Sequence, residues 1–197
     1  MNVLIIVDLQ YDFLPGGSLA VEGGDHVIPF INSIQPNYDL VVATQDWHSE
    51  DHFSFISQHS KHSVFDVIEL EKGGTQVLWP DHCIQGSQGA ELTRELKQHN
   101  IQAIFRKGTR RDIDSYSGFF DNQREVSTGL GGYLVEKGVT HVDVCGLAAD
   151  YCVFFTAMDA LEQGFNTRIL SEGTKAIDSL DFSDKSRQFI NAGGEIY

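Results

Sequence analysis

The sequence predicts an α/β fold: a parallel-stranded central sheet with helices on both faces, three layers in all. Two observations predict it. Short runs of Val, Ile and Leu, apolar at consecutive positions, recur along the chain, as strands buried on both faces require. Between these runs, apolar residues return at helical spacing. In such a sheet ligands bind beyond the carboxyl ends of the strands. The residues just past each run are therefore where chemistry is sought.

The first strand covers residues 3–7 and stops at Asp8; residues 14–18, Leu-Pro-Gly-Gly-Ser, are turn material. Residues 25–34 carry a helical stripe of Val27, Ile28, Ile31 and Ile34. A second strand over 40–44 runs into Gln45, Asp46, Trp47 and His48. Residues 49–88 have weak periodicity and many polar and aromatic side chains, too long a stretch for an ordinary connection, so they read as a functional excursion. Leu92 and Leu96, one turn apart, predict a short helix over 90–99, and a third strand over 103–107 ends at Lys107. After a polar, aromatic-spotted loop (112–123) comes a helix over about 128–137 and a strand over 142–145 that closes at Gly146. Asp150 sits where an N-cap would sit, and Val153, Phe154, Ala157, Ala160 and Leu161 continue at helical spacing to about 163. A strand over 167–170, a helix over 184–192 and a candidate edge strand at Glu195, Ile196 and Tyr197 complete the order.

The 197 residues suit one domain spanning 1–197, with no internal repeat or linker. Lys and Arg number 14 against 28 Asp and Glu, and the net charge of −14 argues against nucleic acid and anionic membranes as partners. No apolar run approaches the roughly 20 residues of a membrane span. The first residues read directly as a strand with no basic leader, and three cysteines without a framework spacing suit a reducing compartment. A cytoplasmic location is expected, and a homo-oligomer stays open.

Asp8, Asp46, His48, Lys107 and Cys152 all fall at or just past strand ends, on four different strands. Cys152 lies in the first turn of its helix, where backbone N–H groups favour a thiolate and could hold an oxyanion. Asp8 could take the thiol proton and Lys107 could hold the pair electrostatically. The plainer alternatives are a small buried cysteine and a structural ion pair. Asp46 and His48, two apart in an extended loop, face one way and with His82 could bind a divalent metal; this ligand set suits zinc, iron or manganese. His52 either ligates as well or lines the loop. His26, His59, His62, His99 and His141 read as ordinary surface or core histidines, and Cys83 as a buried small residue. Phe13, Trp79 and Tyr116 lie in loops above the site and could clamp a flat ring, or simply pack the loops. No P-loop, H-E-x-x-H or G-x-S-x-G motif is present.

Taken in order, Val7-Asp8-Leu9-Gln10 with Asp12-Phe13, Thr44-Gln45-Asp46-Trp47-His48, Trp79-Pro80-Asp81-His82-Cys83, Lys107-Gly108 and Gly146-Leu147-Ala148-Ala149-Asp150-Tyr151-Cys152-Val153 resemble the isochorismatase-like cysteine hydrolases. Within that family the set is similar to the nicotinamidase (pyrazinamidase) group. The resemblance implies a catalytic triad of Asp8, Lys107 and Cys152 and a metal held by Asp46, His48 and His82, which relatives acting on isochorismate lack. It implies a non-proline cis peptide between Leu147 and Ala148, with the Ala148 N–H beside that of Cys152 as the oxyanion hole. The expected reaction is hydrolysis of nicotinamide to nicotinate and ammonia through a thioester, with pyrazinamide also accepted. Phe13, Trp79 and Tyr116 would hold the ring, and zinc is the first choice of metal. Another small-amide cysteine hydrolase, or a metal-hydroxide hydrolase with a structural Cys152, remain the alternatives.

Overall fold

The computed structural model describes residues 1–71 and 73–197. In chain order its elements are β1 (Asn2–Val7), α1 (Val27–Ile34), β2 (Leu40–Asp46), β3 (Val67–Glu69), β4 (Thr75–Val77), β5 (Ala103–Lys107), α2 (Leu130–Glu136), β6 (His141–Leu147), α3 (Phe154–Glu162), β7 (Asn166–Lys175), α4 (Ser179–Asn191) and β8 (Glu195–Ile196). Six strands form the central sheet in the order β5-β2-β1-β6-β7-β8, every neighbouring pair parallel. The short β3–β4 pair is a separate antiparallel hairpin inside the long excursion.

Alternation along β1 divides the core in two. Leu4 and Ile6 meet Val27, Ile28 and Ile31 of α1 on one face. Val3, Ile5 and Val7 meet Leu130 and Leu134 of α2, Phe154, Ala157 and Ala160 of α3, and Phe189 of α4 on the other. Both sets are needed because a parallel sheet is covered on both sides. Each Val, Leu, Ile or Phe side chain among them, removed from water, contributes roughly 1.5–3 kcal/mol. Among the described residues no helix is long and apolar enough to cross a membrane.

Register places the site. Asp46 pairs with Lys107 across β2 and β5, so the carboxylate and the ammonium start side by side. Val7 pairs with Gly146, where a Cβ would lie 2.0 Å from the Val7 carbonyl oxygen and φ is +113°. Only glycine allows β1 and β6 to close up at that point. Asp8 and the turn after β6 are thereby brought together.

Several boundaries differ from the sequence reading. Residues 90–99 form no α-helix: the backbone of Thr93 donates to Leu9 O (2.8 Å), that of Tyr11 to Glu91 O (3.1 Å), and Leu92 bridges to Gln10. Leu92 and Leu96 are buried as expected, but from a loop pinned to the end of β1. β2 continues through Asp46 because β5 pairs with it that far. α4 begins at Ser179, where Asp178 caps it by accepting from the N–H groups of Leu180 and Asp181. Asp150 is not a helix cap. A π-helical turn over Ala149–Val153 precedes α3, and the Asp150 carboxylate reaches away to the N–H groups of Ile177 and Asp178.

Candidate active site

Lys107 Nζ is the point around which the site closes. It lies 2.8 Å from Asp46 Oδ1, 2.9 Å from Asp8 Oδ2, 2.9 Å from Ser115 O and 3.3 Å from Cys152 Sγ. The side chain is almost wholly buried. Burial alone would lower its pKa, but Asp46 and Asp8 outweigh that and hold it well above the usual range, so it stays cationic. A buried charge persists when paired and hydrogen-bonded, and here every donor is used.

Asp8 follows β1 with φ at +47°, a conformation that aspartate tolerates better than most residues. Its Oδ1 accepts from Thr44 Oγ1 at 2.6 Å, while Oδ2 faces Lys107. Burial raises its pKa, with Lys107 opposing.

Cys152 sits on the π-helical turn, entered through a cis Leu147–Ala148 peptide as the resemblance implies. Single π-turns inside helices recur at functional sites. Burial pushes the thiol well above its ordinary range, Lys107 opposes, and Asp8 adds to the rise. The direction is opposite to the one expected of a cysteine at a helix start, and burial is its largest cause. Cys83 and Cys145 are also pushed up by burial. Among the three thiols, Cys152 alone has a recorded contact with a buried ammonium, and a carboxylate stands beside it.

Asp46, His48 and His82 come together as the sequence suggested. Asp46 Oδ2 lies 3.2 Å from His48 Nε2 and 3.6 Å from His82 Nε2. The Nδ1 of His48 donates to Gly108 O (2.9 Å) and that of His82 to Pro80 O (2.7 Å). Each ring therefore turns the lone pair of Nε2 toward the same carboxylate oxygen. His48 Nε2 is buried without a hydrogen bond. Two imidazole lone pairs and a carboxylate aimed at one another need a cation between them, and carbonyl-anchored histidines are how such ligands are oriented. The residues fit a divalent metal.

Gln10 and Gly108 stand in the quoted motifs, but the sequence assigned them no role. Gln10 holds Asp46 reciprocally, Nε2 donating to Asp46 O and Oε1 accepting from Asp46 N, both at 2.8 Å. Gly108 has φ +62°, and a Cβ there would stand 2.3 Å from His48 Cε1. His52 packs on His48 with ring centroids 4.2 Å apart, and its Nε2 is buried without a partner. Burial pushes its pKa down to about 4, with His48 adding, so the ring is neutral. It clusters with His48 and Asp114, outside the Asp46–His48–His82 convergence.

A cleft of about 340 Å³, mouth included, opens onto Cys152, and Phe13, Trp79, Tyr116, Asp46, His82 and Ala148 line it. Tyr151 is a fourth ring of its wall, edge-on to Trp79 with centroids 4.8 Å apart. Its place beside Cys152 was the available signal. Trp79 Nε1 donates to Tyr116 OH at 3.3 Å, which fixes both rings.

This arrangement has relatives. The isochorismatase domain matches residues 2–196. A nicotinamidase of Acinetobacter baylyi is 50% identical over 175 residues, 89% of this chain and 81% of that protein. A nicotinamidase/pyrazinamidase structure from Acinetobacter baumanii superposes with a TM-score of 0.96 at 42% identity, covering 99% of this chain and 94% of the other. The pyrazinamidase of Pyrococcus horikoshii in complex with zinc gives a TM-score of 0.80 at 36% identity, over 100% of this chain and 98% of the other. The match runs from the first strand to the last, with the buried cysteine, lysine and aspartate at its centre: the chain belongs to the isochorismatase family.

Proposed function

We propose that this protein hydrolyses nicotinamide to nicotinate and ammonia through a thioester on Cys152, and that it accepts pyrazinamide as well. The contact that carries the reading is Lys107 Nζ within 3.3 Å of Cys152 Sγ and 2.9 Å of Asp8 Oδ2, beneath a cleft walled by aromatic rings. An aromatic carboxamide enters with its ring between Phe13, Trp79 and Tyr116 and its carbonyl carbon toward sulfur. Cys152 attacks as Asp8 takes the thiol proton, so no resting thiolate is required. Ala148 N–H and Cys152 N–H receive the developing oxyanion. As the carbonyl re-forms and the C–N bond breaks, Asp8 gives its proton to the departing ammonia. Asp8 next takes a proton from water, whose oxygen adds to the thioester. The C–S bond then breaks and Cys152 recovers its proton. Throughout, Lys107 keeps its charge and holds Asp8 and sulfur together.

Asp46, His48 and His82 would hold a divalent cation, zinc by the precedent of the Pyrococcus horikoshii pyrazinamidase, and it would supply a Lewis-acid anchor for a ring nitrogen. Ammonia release from nicotinamide, absent in Cys152→Ala, tests the assignment. Equal release by the variant would return the chemistry to a metal-hydroxide mechanism.

A further inference from the structure

The turn that carries Cys152 is tied both to α4 and to the residues just before it. The Asp150 carboxylate, fully buried, accepts from Ile177 N at 3.0 Å and Asp178 N at 2.8 Å. From α4, Lys185 Nζ returns to the Asp150 carbonyl at 2.6 Å and is itself held by Asp181 Oδ2 at 2.8 Å. The same ammonium stands 4.4 Å from the centre of the Tyr151 ring. A π-turn displaces backbone carbonyls from their usual helical partners. Lys185 supplies one of them with a charged donor, and such bonds are about twice as strong as neutral ones.

Two walls of the cleft hang on this tie. Ile177 lines the cleft, and its N–H is bound by Asp150. Tyr151 lines it too, with the cation behind its ring; a cation over a tyrosine face contributes roughly 0.5–2 kcal/mol. Cys152 lies one residue further along the same turn. The ammonium bonds to the Asp150 carbonyl and Asp181 and stands over the Tyr151 ring, so whatever it does for the reaction it does through that backbone and that ring.

We propose that Lys185 is a positioning residue: by clamping the Asp150 carbonyl and the Tyr151 ring from α4, it holds the π-turn in the register that keeps Cys152 against Lys107 and Asp8. The proposal rests on the reading of Cys152 as the nucleophile. A stabilising surface lysine would affect melting alone. A positioning lysine affects the sulfur.

Lys185→Met keeps the aliphatic stem and removes the donor. The experiment measures melting temperature, metal content, kcat and KM for nicotinamide, and the rate at which iodoacetamide modifies Cys152 at neutral pH, read by mass spectrometry. A displacement of the order of 1 Å costs about 100-fold in rate, so kcat is expected to fall about 10- to 100-fold with KM changed little. Alkylation should slow by about threefold or more, because the sulfur leaves its cation. Lys185→Arg should restore most of both rates. A methionine variant that melts earlier yet keeps kcat and alkylation within about twofold overturns the proposal. Should that variant fail to fold, Lys185→Gln, which keeps an N–H donor on a shorter stem, is judged by the same two rates. Should the wild type release no ammonia, the amidase reading fails by itself, and the alkylation comparison still decides the clamp.

Discussion

Lys107 faces two buried carboxylates with a single charge, so its removal does more than weaken a contact. Lys107→Ala leaves the Asp8 carboxylate without its buried ammonium, which costs about 3–5 kcal/mol, visible as a lowered melting temperature. It also removes the ammonium that opposes the upward push on the Cys152 thiol. The thiol pKa therefore rises further, and alkylation at neutral pH becomes slower, with recovery only at higher pH; an unchanged pH profile would place the ammonium away from the sulfur. Cys152→Ala should abolish turnover with melting temperature and metal content near the wild-type values. A sample quenched during turnover should carry its acyl adduct on Cys152 and not on Cys83 or Cys145, as peptide mass spectrometry can tell. Asp8→Asn keeps the shape and loses the proton carrier. Its kcat should fall about as far as that of Cys152→Ala, since members of one catalytic unit are not additive.

At the scale of elements, the closeness of β1 and β6 rests on Gly146. Gly146→Ala puts a methyl carbon 2.0 Å from Val7 O at a φ of +113°, so strand pairing must yield. A loss of about 3 kcal/mol or more is expected, measured by denaturant titration, with activity failing alongside because Asp8 and Cys152 part. The strands were legible from sequence because runs such as Val3 to Val7 and Leu40 to Ala43 are buried on both faces, and consecutive apolar residues have few other uses. The spacing of Leu92 and Leu96 misled because local periodicity says nothing of a distant strand end that captures the backbone, as Leu9 and Gln10 do. The π-turn was illegible for a related reason. Asp150 is the residue type of an N-cap, and what diverts it, the N–H groups of Ile177 and Asp178, lies far along the chain. The proposed triad and metal-binding set drew notice sooner, since their carboxylates, ammonium, imidazoles and thiol stand at or just past strand ends and lie in the motifs that carry the resemblance.

At the scale of the molecule, the fold places the proposed cation site and the proposed nucleophile in one cleft yet builds them from separate segments, and this separates their roles experimentally. An anchoring metal helps only substrates that own a ring nitrogen. Chelation, or His48→Ala, should raise KM for nicotinamide by about tenfold or more, the loss of at least 1.4 kcal/mol of binding. Benzamide, the same ring without the nitrogen, should be hydrolysed slowly by the loaded enzyme and lose little more on chelation. Equal abolition of both reactions would make the ion a source of the nucleophile or a support of the fold, and melting curves with and without chelator distinguish those two.

The order of strands in the sheet is not their order in the chain, and this matters while the protein is being made. β1 leaves the ribosome first and finds β2 soon after, but its other edge is filled by β6, whose Val144 pairs with Ile5. Until then a row of unpaired peptide groups on a strand apolar from Val3 to Val7 stands open, the kind of edge that recruits strands from other chains. Chains stopped before residue 141 should therefore be insoluble or chaperone-bound rather than partly active. The Cys152 thiol, carried just beyond β6, emerges only when the strand that closes that edge has arrived.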